Sequence, residues 1–86
     1  SIHNAVTIRL TGEDLDKVGN EIESMEDVHR IETINETGVL RLIPKDGAVI
    51  VEKVSLLMRD KGFKVDEIFV ERGHLDEVFR DLTIAN

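Results

Sequence analysis

The apolar residues of this chain switch repeatedly between two spacings, and that switching constrains its fold more than any other feature. Over residues 4–10, Val6, Ile8 and Leu10 alternate with Ala5, Thr7 and Arg9, the period of a strand with one buried face. Leu15, Val18, Ile22 and Met25 then recur at helical spacing. Thr11-Gly12-Glu13-Asp14 before them reads as a helix start: Thr11 can accept a backbone N–H bond, and the acids face the positive helix end. This first helix is expected to run to about Asp27. Residues 29–35 carry Ile31 and Ile34 in a weaker strand pattern. After the Glu36-Thr37-Gly38 loop, Leu40 and Leu42 share one face of a strand over residues 39–43, with Val39, Arg41 and Ile43 on the other. The two strands predict a hairpin.

Pro44-Lys45-Asp46-Gly47 is turn chemistry, with Asp46 placed to cap a second helix beginning at Gly47 or Ala48. Val49, Ile50 and Val51 are strand-prone, yet Ile50, Val54, Leu57, Met58 and Lys61 keep the spacing of one helical face, and Gly62 stands where a helix-ending glycine would. Residues 63–72 predict a fourth strand through Val65, Ile68 and Val70, whose phase break near Asp66-Glu67 calls for a bulge or a short lead-in. Leu75, Val78, Phe79 and Leu82 then form a stripe that predicts a short third helix. The order β-α-β-β-α-β plus one helix is the ferredoxin-like, split βαβ arrangement of the α+β class. Two helices should cover one face of a four-stranded antiparallel sheet, burying Val6, Ile8, Leu10, Leu40 and Leu42. Thr7, Arg9, Val39, Arg41 and Ile43 would lie on the other face, open to the last helix or to a partner.

At 86 residues, 41% of them hydrophobic, the chain is expected to form a single domain, 1–86, with enough apolar surface to fold. It has no cysteine, so packing must hold it together without disulfides. Its longest uninterrupted apolar run, residues 48–51, is far short of the roughly 20 residues that a helix needs to cross a bilayer. The net charge of −7 is concentrated: residues 13–27 hold seven acids against Lys17 alone, which argues against a phosphate backbone as partner.

Catalytic and cofactor chemistry finds no foothold in the pattern. The six glycines, at 12, 19, 38, 47, 62 and 73, precede no Lys-Ser or Lys-Thr pair, so no phosphate loop is expected. His3, His29 and His74 lack metal-ligand spacing, and Ser24 and Ser55 fall within helical segments rather than on a strand-to-helix turn. RNA-reading sheets of this fold carry aromatic residues on the two central strands, whereas the phenylalanines here are at 63, 69 and 79.

The most specific segment is residues 70–83. Leu75-Asp76-Glu77-Val78-Phe79 followed by Leu82-Thr83 resembles the closing segment of ATP-binding subunits of ABC-type export transporters, where a strand leads into Leu-Glu-Asp-Val-Phe and then Leu-Thr. The order of the acids is exchanged, and Gly73-His74 stands where the family usually has Pro-Ser. The resemblance implies a C-terminal regulatory or assembly domain of a longer, cytoplasmic ATPase chain, held at the membrane through the transporter. ATP and Mg would belong to the parent chain and no cofactor to this segment. The implied partners are the ATPase core, a second copy and a membrane permease subunit, without nucleic acid and without membrane insertion. Leu75, Val78, Phe79 and Leu82 become the expected docking stripe, Phe79 foremost, because aromatic side chains dominate interface hot spots. A rival reading is a ferredoxin-like sensor that binds an amino acid at the Thr11-Gly12-Glu13-Asp14 loop, although three nearby acids, Glu13, Asp14 and Asp16, would repel a ligand carboxylate.

Overall fold

A computed structural model of the chain describes residues 3–72. The strand β1 (His3–Leu10) leads into the helix α1 (Leu15–Glu23), the hairpin of β2 (Val28–Ile34) and β3 (Val39–Pro44), the helix α2 (Val51–Lys61) and the strand β4 (Val65–Arg72). The sheet is antiparallel in the order β2-β3-β1-β4, so the architecture is the ferredoxin-like βαββαβ fold expected from the spacing. The expected third helix and its stripe Leu75, Val78, Phe79 and Leu82 lie outside the described residues.

The core follows from the two periods. Val6, Ile8 and Leu10 of β1 meet Leu40 and Leu42 of β3 on one sheet face, where Val18 and Ile22 of α1 and Ile50, Val54 and Met58 at α2 close over them. All ten are buried, and no polar or charged residue is buried among the described residues. The β2–β3 link passes through a turn at Asn35–Thr37 to Gly38, whose φ of +70° and position against Leu10 leave no room for a side chain. A Cβ there would stand 2.5 Å from the Leu10 carbonyl oxygen, and the Leu10 N–H donates to the Gly38 carbonyl at 2.9 Å.

Three expectations about helix ends need correction. Asp14, not Thr11, caps α1: its Oδ1 accepts from the N–H groups of Asp16 and Lys17 at 3.1 and 3.3 Å. The Thr11 hydroxyl instead donates to Asp66 on β4. The first helix also stops at Glu23 rather than near Asp27, with Ser24 as its C-cap and the Ser24 hydroxyl donating to the Glu21 carbonyl. Asp46 caps nothing; it sits at φ +51° in the short turn Lys45–Gly47, and α2 starts only at Val51 behind Ile50. The bend at Ala48, extended at ψ 147°, keeps the strand-prone Val49 out of the helix.

The expected phase break in β4 is a bulge at Asp66. Arg9 pairs with Glu67 and Leu10 with Val65, so β4 spends two steps where β1 spends one. Val65, Ile68 and Val70 all pack against the core as a result. Asn4 makes the complementary bulge in β1, at φ +60°, with its side-chain amide donating to the Gly47 carbonyl at 2.7 Å.

Candidate functional site

Among the described residues, and apart from Val49 in the segment before α2, exposed large apolar side chains lie on two surfaces, one on each side of the molecule. On the helix side, Leu56 is off the buried stripe of α2, two residues past Val54, and remains 54% exposed. Together with Met25 and Leu57 it lines a groove of about 420 Å³ between α2 and the segment that follows α1. Glu26, Asp27, Lys53 and Asp60 form the rest of the lining. Lys53 donates to Asp27 at 2.5 Å across the groove, which draws the Asp27 carboxyl below and the Lys53 ammonium above their ordinary values. A second cross-element pair, Lys61 with Glu21 at 3.5 Å, ties α2 to α1.

The open sheet face is built from the residues that alternate with the core. The ladders align Ile34, Val39, Arg9 and Glu67 in one row and Glu32, Arg41, Thr7 and Phe69 in the next. Arg30, Ile43, Ala5 and Glu71 follow in the third, since Arg30 pairs with Ile43 and Ala5 with Glu71. Phe69 is 56% and Ile34 47% exposed, whereas Ile43 and Ala5 are buried without joining the main core. Sequence reasoning placed Ile43 on this face, and the register bears that out.

Arg41 organises the charges of this surface. Its Nε and Nη2 donate to both carboxylate oxygens of Glu71, at 2.6 and 3.1 Å, and its Nη1 donates to Glu32 at 3.0 Å. Because β1 lies between β3 and β4, the guanidinium reaches Glu71 across β1, where the small side chain of Ala5 leaves it a path. The hydrogen bonds that Arg41 donates to Glu71 and Glu32 raise its pKa further, and the bond from Arg41 is the main cause that holds Glu32 below its ordinary value. Arg30 donates to Glu32 at 3.2 Å, and Arg9 pairs with Glu67. Every arginine of the face is therefore matched by a glutamate within it.

The loop proposed for an amino-acid ligand borders a recess of about 340 Å³ lined by Leu10, Gly12, Glu13, Asp14, Leu15, Asp16 and Gly38. Its acids have structural duties: Asp14 caps α1, and Glu13 accepts from the Lys64 N–H at 2.6 Å. No group of three or more potential metal ligands, and no helix long and apolar enough to cross a membrane, occurs among the described residues. The docking stripe Leu75, Val78, Phe79 and Leu82 lies outside them, and the Leu56 groove went unforeseen in the sequence. Its only signal there is a leucine off the apolar stripe of its helix. Comparison with known protein families, curated proteins and solved structures finds no match to this chain.

Proposed function

We propose that this chain is an accessory domain working through protein contacts, the C-terminal regulatory or assembly domain of the ATP-binding subunit of an ABC-type exporter. The observation that carries this reading is Leu56, half exposed in an apolar groove with a mainly acidic rim. Glu26, Asp27 and Asp60 outnumber Lys53 around the groove. Such a surface suits a partner offering an apolar side chain flanked by lysine or arginine. Covering the exposed part of Leu56 would contribute about 1 kcal/mol, so charge complementarity around it has to supply register and specificity.

The resemblance of residues 70–83 favours the ATPase core of the parent chain as that partner, with a second copy or a permease subunit as further contacts. ATP and Mg act in the core, on the cytoplasmic side of the membrane, and this domain positions or restrains it. The test is calorimetric titration of the 86-residue chain into the separately prepared ATPase core. Binding that disappears in Leu56→Asp, while the melting temperature of the chain stays within a few degrees, is the expected result. Failure of the unaltered chain to bind would overturn the proposal.

The sensor reading keeps a specific recess in its favour, at the β1–α1 loop. Occupation of its carboxylates by the α1 cap and the Lys64 N–H weighs against an amino-acid ligand, whose own carboxylate would meet Glu13, Asp14 and Asp16. A thermal-shift screen with amino acids is expected to leave the melting temperature unchanged, and a saturable rise with one of them would reverse the preference.

A further inference from the structure

We infer that the open face of the sheet is the seat of this chain's own apolar stripe, Leu75, Val78, Phe79 and Leu82. The inference concerns the side of the molecule opposite the Leu56 groove and stands or falls independently of the partner proposed for that groove.

Three observations lead to it. The face offers apolar area at both edges: Phe69 on β4 and Ile34 on β2 are each about half exposed, with Val39 and Thr7 between them. These edges are three strand spacings apart, about 14 Å. A stripe of eight residues at helical rise extends about 10 Å before its side chains are counted, which matches that width. The chain also leaves the sheet at the right place. Glu71 and Phe69 belong to adjacent rows of the face, and β4 ends at Arg72, so residues 73 and 74 are the connection from the edge strand to the stripe.

Charge then selects the occupant. Arg9, Arg30 and Arg41 are matched by Glu67, Glu32 and Glu71 in pairs that lie within the face, leaving it formally neutral. An anionic or cationic ligand would have to break one of these pairs to gain its own. An uncharged apolar strip would not, because it can rest on Phe69, Thr7, Val39 and Ile34 while its flanking acids and Arg80 stay in water. Attachment to the same chain decides between this copy and another: a short connection holds the stripe at an effective concentration on the order of millimolar, above any ordinary concentration of a second copy.

The experiment uses the full 86-residue chain, isotopically labelled, in solution NMR. With three phenylalanines and no tyrosine or tryptophan, its aromatic signals are simple to assign. Contacts from the Phe79 ring to the Phe69 ring and to the methyl groups of Val39 and Ile34 are expected, unchanged on tenfold dilution. Phe79→Ser should shift the amide signals of Thr7, Arg41 and Phe69 while leaving Val18, Ile22 and Val54 in place. Phe69→Ser, at an exposed position, should produce the reciprocal shifts over residues 75–82. Leu56→Asp should leave these contacts intact. Open-face signals unmoved by Phe79→Ser, together with signals of residues 75–82 unmoved by Phe69→Ser, would overturn the inference. So would contacts that fade on dilution and appear between differently labelled chains, since they would make a second copy the occupant.

Discussion

Replacing Gly38 by alanine tests how the β2–β3 link is locked against β1. Two costs combine at this position. The backbone at φ +70° is unfavourable for an L side chain by about 1–2 kcal/mol. The added Cβ would stand 2.5 Å from the Leu10 carbonyl oxygen, a backbone atom at the end of a core strand, so the loop must move away and stretch the bond from the Leu10 N–H to the Gly38 carbonyl. Loss of that bond adds about 1 kcal/mol, for a total of about 2–3 kcal/mol. In a domain of this size that corresponds to a fall in melting temperature of roughly 8–24 °C. Gly62 is the internal control: as the αL cap of α2 it has φ +74°, but nothing lies within 4 Å of its would-be Cβ. Gly62→Ala should therefore cost only the conformational part, about 1–2 kcal/mol, or roughly 4–16 °C. Thermal unfolding followed by circular dichroism measures both. Equal shifts for the two variants would refute the reasoning, because the contact with Leu10 would then contribute nothing.

Other consequences can be checked on the same chain. Asp14→Ala should cost about 0.5–2 kcal/mol in urea unfolding and Thr11→Val distinctly less, since Asp14 is the residue that caps α1. Leu42→Ala, at a fully buried position of β3, should cost about 2–5 kcal/mol, whereas Leu56→Ala on the surface of α2 should stay below about 1 kcal/mol. Hydrogen bonding by Arg41 holds Glu32 below its ordinary 4.5, and bonding by Lys53 holds Asp27 below its ordinary 3.8. Carboxyls lowered by folding stabilise the protein fully above their ordinary values, and that stabilisation is lost as pH falls through the lowered ones. The melting temperature should therefore hold steady down to about pH 5 and drop towards about pH 3, with a shallower drop in Arg41→Met; an identical slope in that variant would contradict the Glu32 assignment.

Much of the architecture is legible in the chain because it depends on local period. Val6, Ile8 and Leu10 alternate, as do Leu40 and Leu42, while Val18 with Ile22 and Ile50 with Val54 and Met58 keep helical spacing, and each set is buried where its period puts it. Even the bulge at Asp66 shows as a break in phase between Val65 and Ile68. Helix ends are less legible, since several polar residues qualify as caps and long-range partners choose among them: Asp66, 55 residues away along the chain, takes the Thr11 hydroxyl, and Asp14 is left to hold α1.

Spacing places Thr7, Arg9, Val39, Arg41 and Ile43 on the open face, but neither the pairings across that face nor the groove could have been drawn from it. Arg41 is one polar residue on a strand until the order β2-β3-β1-β4 sets Glu32 on one side and Glu71 on the other, across β1. Leu56 is a stray leucine until α2 packs beside Met25 and leaves a groove there. The sequence by itself determined which residues turn inward, because burial follows the repeat of each backbone and hydrophobic burial acts residue by residue. What meets across the outward faces was decided only by the tertiary structure, because those meetings depend on strand order, register and helix placement, which join residues far apart in the chain.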